Sequence, residues 1–180
     1  MNLVICISGS AGTGKSTQAK ILAERYGLKY VSAGSIFRDI ARERKMSLQE
    51  LSSLVLKDKS IDIEIDKRTR ELAAKGNIVL EGRLTAWMTK GIDAFRAYLR
   101  CPFDVEIRRI AERDRKTIQE AAAETLSREK SEETRYRKLY GIDVSDLTIY
   151  DIVINTDIYP IDSVTKILTA AVDEYLKAKK

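Results

Sequence analysis

The 180-residue chain contains no histidine, which excludes every mechanism that uses imidazole as base, acid or metal ligand. Ser-His-Asp hydrolysis, histidine-held zinc and Cys-His attack are all removed. Cysteine is scarce as well: Cys6 and Cys101 are too few for a four-thiolate zinc site or for the framework of a small secreted fold, so a reducing compartment is expected. Both lie in or beside apolar runs and read as core residues. Two prolines and nine glycines argue against a collagenous, mucin-like or linker-rich chain. No apolar run approaches the roughly 18 residues of a membrane span, and no basic segment followed by a cleavable apolar stretch opens the sequence. A soluble cytoplasmic protein without a membrane partner is the expectation. Aromatics amount to 7% and form no recognition module of the kind that binds nucleic acid, so a nucleic-acid partner is not expected. Three Asn and three Gln beside abundant Lys, Arg and Glu fit a heat-adapted source.

What is present suffices for one compact domain: 44% hydrophobic residues, 33% charged, and 32 Lys and Arg against 27 Asp and Glu, a net charge of +5. The surplus favours anionic partners in general. Leu3 to Ser8 is a short apolar run of the kind buried on both faces in a parallel sheet. After a glycine-rich turn, Ala19, Leu22, Ala23 and Tyr26 keep helical spacing over 15–26, and Gly27 is placed to end that helix. Further strands are expected at 28–31, 78–80, 94–101 and 151–155, with helices after Gly34 and over 103–115, 118–139 and 161–176. Ser47 and Glu50 have the spacing of a capping box for another helix. The segment 61–66 alternates like a strand, yet Ile61, Ile65 and Leu72 stay in helical phase up to Gly76, so one helix is expected there. Five short buried strands alternating with helices imply an α/β fold with an open, doubly wound five-stranded parallel sheet, whose ligands lie at the carboxyl ends of the strands.

Gly9-Ser10-Ala11-Gly12-Thr13-Gly14-Lys15-Ser16 satisfies G-x-x-x-x-G-K-[ST] between a predicted strand and a predicted helix. The glycines let backbone N–H groups converge on phosphate oxygens, and the helix N-terminus adds its positive end. Lys15 can then reach the β- and γ-phosphates and Ser16 can ligate Mg²⁺. Thr17 adjoins the set. Three classes remain open on this motif: a GTPase switch, a motor ATPase and a small-molecule kinase. The N-K-x-D tetrapeptide that reads guanine is missing, Asn155-Thr156-Asp157 being the nearest echo, and a motor usually needs a longer chain.

The charges beyond the loop favour a kinase. Glu81 ends a buried strand, where a carboxylate can hold the water shell of Mg²⁺. Arginines follow at separated places: Arg38, Arg83, Arg109 and Arg113 one helical turn apart, Arg128 and Arg135. Two facing polyphosphates call for such forked donors. If the acceptor is itself a phosphate, its oxygen is already anionic near neutral pH, so alignment and charge neutralisation remain the enzyme's tasks and no imidazole base is needed.

At these residues the chain resembles the nucleoside monophosphate kinases, and among them the cytidylate kinases in a short, archaeal-type form. The phosphate loop is the most specific part. Ser32-Ala33-Gly34-Ser35-Ile36-Phe37-Arg38 is similar to the S-G-x-[IY]-[YF]-R segment of the bacterial enzymes, Glu81-Gly82-Arg83 to their D-G-R, and Arg128 to Arg135 to their R-x-x-x-D-x-x-R with Glu132 for Asp. The resemblance implies that Arg38 and Arg83 grip the acceptor phosphate beside Ser32 and Gly34. It implies further that Arg128 and Glu132 meet ribose and phosphate, that Arg135 approaches the base or the transferring phosphoryl, and that Arg109 and Arg113 close over the donor. Two departures bear on the base: Leu84 and Ser32 stand where the bacterial enzymes have aspartates, and the large base-selecting insert is replaced by 47–75. Arg42, Arg44, Asp66 and Arg70 are each candidates for the missing readout.

The implied function is transfer of the γ-phosphoryl of ATP to CMP and dCMP with Mg²⁺, in a P-loop nucleoside triphosphate hydrolase-like domain. Two inserts, 47–75 for the acceptor monophosphate and 113–146 as a lid, would close over the nucleotides. AMP or UMP as acceptor, and a non-catalytic ATP-binding regulator, are the alternatives. Nothing in the sequence demands more than a monomer.

Overall fold

The structure, a computed structural model, describes residues 2–55 and 58–179. In chain order the elements are β1 (Val4–Gly9), α1 (Lys15–Tyr26), β2 (Lys29–Ser32), α2 (Ala33–Glu43), α3 (Leu48–Val55), α4 (Ser60–Lys75) and β3 (Ile78–Glu81), then α5 (Thr85–Met88), β4 (Phe95–Arg100), α6 (Phe103–Asp114), α7 (Ile118–Tyr140), β5 (Ile152–Asn155) and α8 (Ile161–Lys177). The five strands form one sheet in the order β2-β3-β1-β4-β5, every pair parallel. This is the doubly wound arrangement expected from the alternation of apolar runs and helices.

β1 lies at the centre, and all six of its residues are buried, because helices cover both faces of the sheet. Its side chains alternate between two apolar layers. Ile5 and Ile7 pack with Leu22, Leu99, Val164 and Leu168 on one face. Val4 and Cys6 pack with Ile40, Leu51, Ile61 and Leu80 on the other. Register carries the chemistry to one edge: Ile7 is opposite Glu81, and Gly9 is opposite Leu99. The phosphate loop and the end of β3 therefore leave the sheet side by side.

The stretch 61–66 is helical, as phase rather than alternation had indicated: Ile61 is buried, and Asp62 and Asp66 share a face of α4. Ser47 and Glu50 form the expected capping box. Thr117 and Glu120 form a second one that opens α7. The short helix α5 is a finding, since four residues supply no periodicity to read. Two expectations need correction. β2 and β5 are the edge strands, with Lys29 and Val153 exposed, not strands buried on both faces. Cys101 is only half-buried, because it stands just past the end of β4 and turns its sulfur toward Arg109.

Among the described residues no helix is long and apolar enough to cross a membrane.

Candidate active site

The loop after β1 depends on glycine at two points. A Cβ on Gly9, whose φ is 146°, would lie 2.1 Å from the Leu99 carbonyl oxygen of the neighbouring strand. One on Gly12, φ 76°, would lie 2.7 Å from the Glu106 carbonyl oxygen. These close approaches wedge the loop between β4 and the first turn of α6. Thr13 Oγ1 donates to the Ser10 carbonyl at 2.8 Å, holding the bend. Lys15 Nζ turns back to the same carbonyl, and burial lowers its pKa.

Ser16 Oγ donates to Glu81 Oε2 at 3.0 Å, and Tyr30 donates to the same oxygen at 2.9 Å. Two hard oxygen donors thus converge at the start of α1, the oxygen chemistry that suits Mg²⁺.

Around them opens a cavity of about 520 Å³. The loop residues Gly9, Ala11, Gly12, Gly14 and Lys15 to Thr17 line one wall, and Ala33, Glu81, Gly82, Arg83, Arg109, Arg113, Arg128 and Glu132 line the rest. Five cations predicted from the sequence, Lys15, Arg83, Arg109, Arg113 and Arg128, therefore meet in one space. They differ in how firmly they are held. Arg109 is fastened to the body of the protein: it donates to Gly12 O at 3.3 Å, Thr156 Oγ1 at 3.1 Å and Thr156 O at 2.9 Å. Arg113 is exposed and forked onto Asp114. Arg128 faces Glu132 at 3.8 Å.

Arg83 is half-buried, and its Nη1 donates to Glu132 Oε2 at 3.0 Å and to Glu129 Oε1 at 3.1 Å. Glu129 has no counterpart in the sequence reading, since one more glutamate on an acidic helix carries no signal of its own. Glu106 was also missed. It is 6% exposed, and burial, reinforced by Glu129, pushes its carboxyl up to about 7.

A second cavity of about 310 Å³ adjoins the loop, bounded by Gly12, Thr13, Thr17, Gln18, Arg109, Thr156, Tyr159, Ile161 and Val164. Its apolar wall suits a base. The clue was the Asn155-Thr156-Asp157 tripeptide, which ends β5 at the sheet's ligand edge but resembles no motif strongly.

On the other side of Arg128 a larger space of about 960 Å³ separates α2 and α3 from α7. Phe37 and Val55 face Ser127, Arg128, Ser131, Glu132 and Arg135 across it. Arg38 is exposed and forms no hydrogen bond or ion pair among the described residues. It lies near Gly34, where an added Cβ would come to 3.6 Å from Arg38 Nη1. Ser32 caps α2 by accepting from Ser35 N at 3.0 Å. Of the four candidates for base readout, Arg42 and Arg44 pair with Asp39 and Glu64, and Arg70 is exposed. Asp66 alone reaches toward α7, accepting from Tyr140 at 2.6 Å.

A phosphate loop thus adjoins one cavity, and Arg109 and Arg128 link it through the loop's own cavity to a larger one. Residues 4–158 match the model of the cytidylate kinase-like family. The chain belongs to that family. It is 48% identical over 97% of its length to a cytidylate kinase of Staphylothermus marinus, covering 99% of that protein. It is 44% identical over 97% of its length to one of Desulfurococcus amylolyticus, covering 95%. Among solved structures it is similar to shikimate kinase from Bacteroides thetaiotaomicron, with TM-score 0.66 and 16% identity over 95% of this chain and 98% of that one. A gluconokinase from Sinorhizobium meliloti gives TM-score 0.60 and 12% identity over 98% and 97%. Those two likenesses are of fold alone.

Proposed function

We propose that this chain transfers the γ-phosphoryl of ATP to CMP and dCMP, giving ADP and the corresponding diphosphate, as a cytoplasmic monomer. The observation that carries the reading is the run of arginines from Arg109 through Arg83 and Arg128 to Arg135, which links the space beside the phosphate loop to the space between α2 and α7. A donor nucleoside fits the first space, an acceptor nucleoside the second, and their phosphates meet at the cations between.

The residues divide the work. Loop N–H groups and Lys15 bind the donor phosphates. Arg83 and Arg38 hold the acceptor phosphate, whose oxygen is already ionised. Arg109, Arg113 and Arg128 neutralise the charge that spreads over the transferring group. Mg²⁺, when bound, would supply positive charge against the polyphosphate. Ser16 and Glu81 would hold it, Glu81 through water. Closure of α7 over the acceptor excludes water and limits idle ATP hydrolysis.

A coupled ADP-release assay over CMP, dCMP, UMP and AMP tests the proposal. CMP and dCMP should give the highest kcat/KM; a better rate with AMP or UMP refutes it.

A further inference from the structure

The resemblance leaves the base reader open, because the bacterial aspartates are replaced here by Leu84 and Ser32. The structure supplies a polar cluster that adjoins the proposed acceptor space through Arg135. From α4, Asp62 and Asp66 point toward α7, and from α7, Arg135 and Tyr140 meet them. Arg135 also lines the wall of the acceptor space. Its Nε lies 3.2 Å from Asp62 Oδ2. Both atoms are buried, and neither completes a hydrogen bond with any described residue. An ion pair this close but out of line leaves hydrogen-bonding capacity on both partners, which is costly unless a ligand uses it.

The two carboxylates are not equivalent. Asp66 is engaged by the Tyr140 hydroxyl at 2.6 Å. Asp62 meets only the guanidinium, and its side chain keeps 14% exposure. One free carboxylate beside one guanidinium offers an acceptor next to a fork of donors. Cytosine presents the complement along one edge: a 4-amino donor, then N3 and O2 as acceptors. Uracil reverses the first two, placing a carbonyl opposite a carboxylate and an N–H opposite a guanidinium.

We propose that Asp62, together with Arg135, reads the acceptor base: Asp62 accepts from the 4-amino group and Arg135 donates to N3 and O2. The inference rests on the proposed CMP kinase reading and assigns the residue that makes it selective. Discrimination of this kind follows from leaving buried polar groups unpaired when the wrong base enters.

The test compares kcat/KM for CMP and UMP in the wild type and in Asp62→Asn. The amide keeps the size but replaces one acceptor oxygen by a donor, so CMP turnover should fall and the CMP-to-UMP ratio drop by at least about tenfold, the scale of one well-made base contact. If Asp62 only ties α4 to α7, both acceptors lose equally and the ratio stays, which overturns the assignment while the wild type's CMP preference keeps the broader reading. A wild type with no preference between the two pyrimidines overturns both. Should Asp62→Asn fold poorly, Asp62→Ala with CMP and its 4-deamino analogue, a pyrimidin-2-one nucleotide, closes a cycle between residue and amino group. The wild type should lose at least about tenfold on removal of the amino group and the variant almost nothing; equal losses in both overturn the proposal.

Discussion

Arg38 and Lys15 are the single charges on which the proposed division between two substrates can be tested. Arg38 is exposed beside Gly34 with no protein partner among the described residues, so its charge is available to a ligand. Arg38→Ala should lower kcat/KM for the acceptor about 100-fold while ATP affinity stays within about twofold, because a forked phosphate contact is lost on one side only. Isothermal titration with ATP beside acceptor kinetics separates the two. Lys15→Ala should do the reverse and weaken ATP. Glu106 gives a pH prediction. Burial raises its carboxyl from 4.5 to about 7, so between those values the folded protein keeps a proton that the unfolded chain releases. Its contribution to stability is full below about pH 4.5 and is lost as pH rises through 7. Glu106→Gln, a neutral isostere, should melt at a higher temperature than the wild type at pH 8, and the gap should close near pH 5. A gap independent of pH would count against this account.

At the level of elements, the segment from α5 to β4 hangs on one arginine. Arg96 Nη1 donates to Ala94 O at 3.0 Å, and Nη2 donates to Thr89 O at 2.6 Å and Ile92 O at 2.8 Å. Arg96→Met leaves these carbonyls, two of them on the buried residues Thr89 and Ala94, short of donors and should cost about 3 kcal/mol in denaturant unfolding, since hydrogen bonds to charged groups exceed neutral ones. The entry to α7 is a local matter. Thr117→Ala removes its capping box and about 1 kcal/mol of helix stability, which should register as faster amide exchange over the first turns of α7 with little change in β1.

The same scale shows what could be read in advance. The P-loop unit, the five strands and the 60–75 helix follow from phase, spacing and glycine placement, all local signals. Thr85–Met88 does not, being one turn long. Glu129 and Glu106 do not either, because the significance of Glu129 is a contact with Arg83 across the fold and that of Glu106 is its burial beside Glu129, and sequence carries composition there but no geometry. Arg109 was expected to be a lid arginine; its fastening to Gly12 and Thr156 could not be inferred from its place on a helix.

Considered whole, the molecule has two large apolar layers on the sheet and a third, small one. Ile107, Ile110, Ala111 and Ala121 hold α6 to α7 apart from the main layers. The pair α6 and α7 therefore has its own cohesion, and polar contacts tie α7 to the rest of the protein: Arg83 with Glu129 and Glu132, Arg135 with Asp62, Tyr140 with Asp66. Polar ties exchange partners more readily than a packed core rearranges. With ATP and CMP bound together, hydrogen exchange in α7 should slow while β1, β3 and β4 keep their rates; slowing spread evenly over the sheet would contradict closure by α7.

That separation has a consequence for descent. The fold is shared, at 12% and 16% identity, with a gluconokinase and a shikimate kinase. Here the residues lining the proposed acceptor space sit on α2, α3 and α7, whereas the two sheet layers are built largely from other positions of the chain. Drift on the acceptor-facing surfaces can retarget the enzyme while the donor half stays as it is. New acceptors can thus arise by changes that the packed sheet scarcely registers.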